Sequence, residues 1–347
     1  MANQKIIFHV GTTKTGTTSI QHALMSSRVR LLEEFSLYYP FSPRLVQKVE
    51  RKENDDESFI GGGNFEKKII KAFKSGELDS AEQLLSGELQ KVSQQGALTT
   101  LYSAEVLFGL GKSLQACELL SRVASRFFSE VEIVCCIRPP LDHTASRYCE
   151  YVKRRSETRS FNDCFNDLWL DFGSRLDCFV QAFGASRLTV LPYEHPSKVS
   201  IVKRFFAHVD SRLLKDAFFS SIISNMNRNR SLSPLECEAV RHVNRLQIGY
   251  GLNSVSFVKA YGSYLKKFPK DNLRRYFHVS DAALRRFEDL NQNPLERVGS
   301  LCGACIPIAS TRVREGMLSA AEEFSIAEQS KIQEVAWQVL REVNASF

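Results

Sequence analysis

The chain has 347 residues, 43% of them hydrophobic and 24% charged. That is the balance of a globular protein long enough to bury a core without disulfide staples. The 46 lysines and arginines against 39 acidic residues leave a net charge of +7, which suits an anionic small molecule or glycan and falls short of the concentrated basic stripe of a nucleic-acid reader.

Residues 5–10 (Lys5, then Ile6, Ile7, Phe8, His9 and Val10) form an apolar run too short for a secretory signal and right for a buried strand. No stretch reaches the ~18 apolar residues of a membrane span. The expectation is a cytoplasmic protein with no transmembrane segment.

A glycine and threonine loop occupies residues 11–16. The spacing of Ile20, Ala23 and Leu24 then predicts a helix from Thr17 to about Ser27, and Leu37, Tyr38 and Tyr39 before Pro40 predict a short strand. Residues 44–97 are charged, broken at Gly61, Gly62 and Gly63, and carry helical spacings at Phe65, Ile69, Ile70 and Phe73 and at Ala81, Leu84, Leu85 and Leu89. They read as a helical insertion. A strand follows at 98–103, a helix at 114–128 and a buried strand at 131–137. Further on come a helix at 142–155, one or two helices across 161–183, a strand at 188–191 and a helix at 199–209. Beyond about residue 231 the pattern is helical: Ser233, Pro234 and Glu236 mark a helix start, and Ile332, Val335, Ala336, Val339, Leu340 and Val343 give a final helix at 328–343 an apolar face.

The nine cysteines are odd in number and irregularly spaced, and Cys135 and Cys136 sit inside an apolar run. They read as reduced thiols behaving as small hydrophobes. Cys302 and Cys305 have C-x-x-C spacing but lack the second pair or histidines of a zinc site.

The chemistry concentrates in Gly11-Thr12-Thr13-Lys14-Thr15-Gly16-Thr17-Thr18-Ser19, between a strand and a helix. A helix N-terminus presents backbone N–H groups without partners and the positive end of the helix dipole, so it attracts phosphate. Glycine lets the backbone approach closely, the hydroxyls add donors, and Lys14 adds a full charge. The order is not that of an ATP or GTP loop, because Thr17 stands where such a loop has lysine after its second glycine. Lys14 comes two residues before that glycine, beside the group to be transferred.

This stretch resembles the 5′-phosphosulfate loop of the sulfotransferase family that uses 3′-phosphoadenosine-5′-phosphosulfate (PAPS), with Thr13 in place of the usual proline. A second signature agrees. The family places an arginine at a strand end and a serine about eight residues later, in the next helix, for the 3′-phosphate. Here the strand Val131–Ile137 is followed by Arg138 and, in the next helical segment, Ser146. Val190, Leu191, Pro192, Tyr193 and Glu194 look like the strand-to-Tyr-Glu corner of bacterial members. Asn227 to Pro234 resembles the segment that closes over the nucleotide, with Arg228 or Arg230 within reach of a phosphate.

The resemblance covers roughly residues 5–245. It implies an α/β fold with a central parallel sheet flanked by helices. Residues 1–245 would form the nucleotide-binding core, with the insertion at about 44–97, and residues 246–347 a helical extension packed on it. It also implies a sulfotransferase with PAPS as donor, PAP as product and no metal. Thr12, Thr13, Lys14, Thr15, Gly16, Thr17, Thr18 and Ser19, together with Arg138, Ser146, Tyr193, Arg228 and Arg230, would hold the nucleotide. Lys14 would serve the leaving oxygen.

The first candidate for the base is Glu105, just past the strand at 98–103, where family members often carry histidine or glutamate. His9 and His143 are the alternatives, and His22 is a weaker one. The acceptor would be a small molecule, glycan or lipid. Lys266, Lys267 and Lys270 suit an anionic sugar or headgroup. Oligomeric state is not readable. A small-molecule kinase with a variant loop would need a magnesium carboxylate where Arg138 stands, and an inactive nucleotide-binding module would not need Lys14. The clusters Lys153-Arg154-Arg155 and Arg274-Arg275 are short and mixed with acids, so they read as solvated helix faces and no nucleic-acid partner is expected.

Overall fold

The structure is a computed structural model. It describes residues 3–12, 14–41, 64–193, 199–224, 232–250, 277–303 and 313–315, with isolated positions between 329 and 341. Part of the expected insertion (44–63), the basic positions at 266–275 and most of the expected helix at 328–343 lie outside the described residues.

Strand β1 (Lys5–His9) leads through the glycine and threonine loop into helix α1 (Thr17–Ser26), then α2 (Arg28–Phe35) and β2 (Leu37–Tyr38). The described part of the insertion is helical, as its spacing predicts: α3 (Lys67–Ser75) and α4 (Leu78–Ser93). Strand β3 (Thr99–Ser103) runs into a 3₁₀ turn at Glu105–Lys112, and α5 (Leu114–Phe127) leads to β4 (Glu130–Ile137). There follow α6 (Pro140–Arg154), α7 (Phe161–Leu168), α8 (Phe172–Phe183), β5 (Leu188–Pro192), α9 (Ile201–Val209) and α10 (Ala217–Ser224). Thus 161–183 is two helices. The chain continues with α11 (Pro234–Tyr250), β6 (Phe277–Val279), α12 (Asp281–Cys302) and β7 (Val313–Glu315).

Five strands form one sheet in the order β2-β3-β1-β4-β5, and every pairing is parallel. A parallel sheet needs helices on both faces, so its inner strands are buried along most of their length and mainly apolar. Accordingly β1 reads half-buried then buried four times, and β4 is buried from Val131 to Ile137. From the central β1 the chain goes first to one side, to β2 and β3, and then to the other, to β4 and β5. In such sheets ligands bind beyond the carboxyl ends of the strands at this reversal. Here that place is the end of β1, flanked by β3 and β4.

The chain divides into two compact units. The first comprises residues 1–139, 171–227 and 290–306 and holds the five-stranded sheet. On one face of this sheet, Ile20, Ala23 and Leu24 of α1 cluster with Phe205 and Phe206 of α9, Phe219 of α10 and strand residues Ile7, Leu101 and Val134. The second unit comprises 140–170, 228–289 and 307–347. Its own core gathers Tyr148, Cys149 and Val152 of α6, Phe161 and Phe165 of α7, Val240 and Val243 of α11, and Phe277 and Val279 of β6. Helix α11 starts with a capping box: Ser233 Oγ accepts from the Glu236 N–H at 3.2 Å, and Glu236 Oε2 accepts from the Ser233 N–H at 2.6 Å. The serine, proline and glutamate order in the sequence signals that start.

Candidate active site

The loop after β1 begins as an extension of the sheet. Val10 N–H donates to Val134 O at 3.0 Å and Thr12 N–H to Cys136 O at 3.2 Å, so β4 carries the chain three residues beyond the strand before it turns. The turn then folds on one acceptor. Thr12 O takes the Thr15 hydroxyl at 2.5 Å and the Thr17 hydroxyl at 3.3 Å. Thr15 and Thr17 are buried, so their hydroxyls shape the loop, and their backbone is what they offer an anion. Thr18 and Ser19 are half-buried, as are Lys14 and Gly16. Thr13 lies outside the described residues.

Among the described residues of the loop, Lys14 at φ 66° and Gly16 at φ 82° take the left-handed backbone region. Lysine in this region is strained, and such strain tends to gather where a chain must hold a ligand. Gly16 is needed twice over: its φ is unfavourable for other residues, and a Cβ there would lie 3.0 Å from Ile201 Cγ2 of α9. Gly16 is also the N-cap of α1, and it supplies no side-chain cap to the first turn. Thr12 Oγ1 is buried without a hydrogen-bond partner. The loop therefore combines an uncapped helix N-terminus, a lysine and an orphaned hydroxyl.

The neighbouring strands bring the other candidates to the same edge. In register His9 lies beside Ser103 of β3 and Val134 of β4. Glu105 stands two residues past the end of β3, half-buried, in the first turn of the 3₁₀ segment. Arg138 directly follows β4 and is half-buried. Its guanidinium lies over the ring of Tyr193, 4.8 Å from the centroid, and a face-on ring steadies the cation while leaving its N–H edges to point elsewhere. Tyr193 is anchored in turn, its N–H donating to Ile137 O at 2.6 Å. Arg204 of α9 donates to Pro192 O, and to Tyr193 O at 3.1 Å. The sequence pattern singles out Arg138 and Tyr193 but not Arg204, whose partners are backbone carbonyls that no motif marks.

Lys14, Glu105, Arg138 and Tyr193 all belong to the first unit. Ser146 is buried on α6 in the second. Glu194, Arg228 and Arg230 lie outside the described residues. Of the other histidines, His143 is fully buried and His22 is exposed. His9 is fully buried too, and burial holds its imidazole near pKa 3, hence neutral at neutral pH. A group that does not accept a proton until that acid range is a poor general base at pH 7. Cys302 is a free thiol, and Cys305 lies outside the described residues. Among the described residues no cluster of His, Cys, Asp and Glu has a metal-site arrangement, and no helix is long and apolar enough to cross a membrane.

The sequence from Ile7 to Pro196 matches the sulfotransferase family, by a match that covers more than half of the chain. The chain belongs to the sulfotransferase family. It is a transferase, and its activity class is sulfuryl transfer. No curated protein sequence matches it. Among solved structures it is similar to a sulfotransferase from Alicyclobacillus acidocaldarius, with 12% identity and a TM-score of 0.35 over 86% of this chain and 96% of that one. So distant a likeness carries no weight beside the family match. The family match takes in the loop, Glu105, Arg138, Ser146 and Tyr193, and stops short of Arg204.

Proposed function

We propose that this sulfotransferase takes PAPS as donor and transfers its sulfuryl group to a hydroxyl or amine of a carbohydrate, lipid or small molecule, releasing adenosine 3′,5′-bisphosphate (PAP). The observation that carries the reading is the loop between β1 and α1, where a left-handed lysine precedes a helix whose first turn has no side-chain cap. The groups present fit the nucleotide. The orphaned Thr12 hydroxyl and the uncapped first turn of α1 suit a 5′-phosphate, and the arginine fork of Arg138 suits a 3′-phosphate.

Each residue then has a task. Backbone N–H groups of Thr15 to Ser19 bind the 5′-phosphate. Lys14 neutralises charge as it builds on the leaving phosphate oxygen, as cationic clamps do in phosphoryl transfer. Glu105 takes the proton of the acceptor hydroxyl or amine as it attacks sulfur in line, opposite the leaving oxygen. Arg138, steadied by Tyr193, binds the 3′-phosphate, and the sequence supplies Ser146 as a second donor eight residues on. Arg228 and Arg230 join the proposal on sequence alone, as closing residues over the nucleotide. No step asks for a metal.

Calorimetric titration with PAP, AMP and ATP tests the reading. Micromolar PAP binding is expected, much weaker with AMP and reduced at least about tenfold, or 1.4 kcal/mol, in Arg138→Ala. Preference for ATP with Mg²⁺, or no nucleotide binding at all, would overturn it.

A further inference from the structure

His9 is the last residue of β1, and its ring is fully buried beneath the loop. Its Nδ1 shares a 2.8 Å hydrogen bond with Ser103 Oγ, at the end of β3. Its ring packs on Phe205 of α9 with centroids 4.6 Å apart. Its Nε2 is buried and has no hydrogen-bond partner. Instead it points at the loop: a Cβ placed on Gly11 would lie 2.6 Å from this nitrogen, so the ring tip fills the space in which a side chain at position 11 would sit.

Ser103 is itself tightly held. Gln21 of α1 donates to Ser103 O at 3.0 Å, Ser103 N–H donates to Asn64 Oδ1 at 2.8 Å, and Ala104 N–H donates to His9 O at 3.1 Å. The imidazole thus joins the start of the loop to the strand end two residues before Glu105. On its other side it meets α9, the helix whose Ile201 confines Gly16. A buried imidazole with one unanswered nitrogen carries a desolvation cost. Here the ring bridges the elements that carry the lysine and the glutamate.

We propose that His9 is a positioning residue for sulfuryl transfer, locking the loop that carries Lys14 to the strand end that carries Glu105. The proposal rests on the reading of the loop as the 5′-phosphate site. His9 stays neutral and exchanges no proton; it acts through Gly11 and Ser103.

The test compares two nucleotides on the full chain: PAP, which has a 5′-phosphate, and adenosine 3′-monophosphate, which lacks one. His9→Asn keeps a polar atom near Nδ1 for Ser103 and vacates the space under Gly11. It should weaken PAP by about tenfold and leave adenosine 3′-monophosphate within about twofold. Gly11→Ala should also weaken PAP, and adding His9→Asn should restore part of that loss, because the clashing nitrogen is gone.

Equal weakening of both nucleotides, unchanged PAP affinity, or no rescue in the double variant would each overturn the proposal. Should His9→Asn not fold, Ser103→Ala removes only one oxygen and should give the same selective loss at about threefold; an equal loss or none counts against the proposal. If the wild-type protein itself does not prefer PAP to adenosine 3′-monophosphate, the 5′-phosphate reading fails first and takes this inference with it.

Discussion

Near the start of β1 and β4, Glu132 is enclosed by its own partners: His208 Nε2 at 2.5 Å, Lys5 Nζ at 2.7 Å and Thr189 Oγ1 at 2.8 Å. At the far end of the same two strands, the chain leaves Thr12 Oγ1 and His9 Nε2 buried without partners and holds Lys14 and Gly16 at positive φ. In the first cluster Glu132 Oε1 takes hydrogen bonds and Oε2 is met by the Lys5 ion pair, and together they stabilise the sheet. The second leaves polar groups unmatched and backbone strained, which a fold tolerates where a ligand completes it. The contrast separates a carboxylate whose partners hold the sheet from a loop that, on our proposal, takes the donor's 5′-phosphate.

The largest effect that would sharpen this contrast is on catalysis. Lys14→Ala should lower the turnover of sulfuryl transfer by about 10²–10³, the usual cost of removing one electrostatic stabiliser, while the melting temperature stays within a degree or two. A comparable loss of stability would place Lys14 with Glu132 among the structural charges.

Acid titration of stability comes next, because both regions contribute with the same sign. Burial holds His9 down to about 3. Burial pushes the Glu132 carboxyl up, but hydrogen bonds from His208, Lys5 and Thr189 outweigh it and hold the group near 2. Both folded values lie below the unfolded ones, so the unfolded chain binds more protons and stability falls with falling pH. The His9 contribution is complete above about pH 6.5 and is lost as pH falls toward 3. The Glu132 contribution is complete above about 4.5 and is lost toward 2. Each can reach a slope of about 1.4 kcal/mol per pH unit. Urea unfolding followed between pH 7 and 3 should show the decline, and Glu132→Gln should remove only its lower part.

Gly16→Ala should cost roughly 1–3 kcal/mol through strain and the approach of Ile201, and should weaken PAP. Glu132→Gln at neutral pH should cost about 1–3 kcal/mol, since it removes the charge of a buried acceptor that three partly exposed donors share, with PAP affinity unchanged. A change in PAP binding there would mean that the two ends of the sheet are coupled. At the surface, Arg30→Ala breaks the 2.7 Å contact with Asp216 and should move stability by less than about 1 kcal/mol.

What the sequence reveals follows the range of the forces involved. The loop, the start of α1 and the strand-to-Arg138 junction are legible because each is a contiguous run whose residues act locally. The central strands of the parallel sheet are legible because burial on both faces demands mainly apolar runs, which β1 and β4 keep except at Glu132. The setting of His9 is not. Its hydrogen-bond partner Ser103 lies 94 positions away, and Gln21 and Asn64 reach the same carbonyl and amide of Ser103 from separate elements. The Glu132 cluster is hidden for the same reason: β4, β1, β5 and α9 each contribute one side chain. The roles of Thr15 and Thr17 differ in emphasis from the sequence reading. Their hydroxyls are turned to Thr12 O and organise the loop, a choice decided by a turn geometry that composition does not encode.

The central position of β1 also bears on how the protein is made. Its first residue, Lys5, pairs with Thr99 on one side and with Glu130 on the other. On a ribosome, an emerging apolar β1 waits for well over a hundred further residues before its second neighbour exists, several seconds or more at about 5–20 residues per second. Through that interval the future loop between β1 and α1 has no β4 carbonyl to turn against. Shortened versions that end before residue 130 should therefore yield chains with an unpaired apolar strand, prone to aggregate and unable to bind nucleotide.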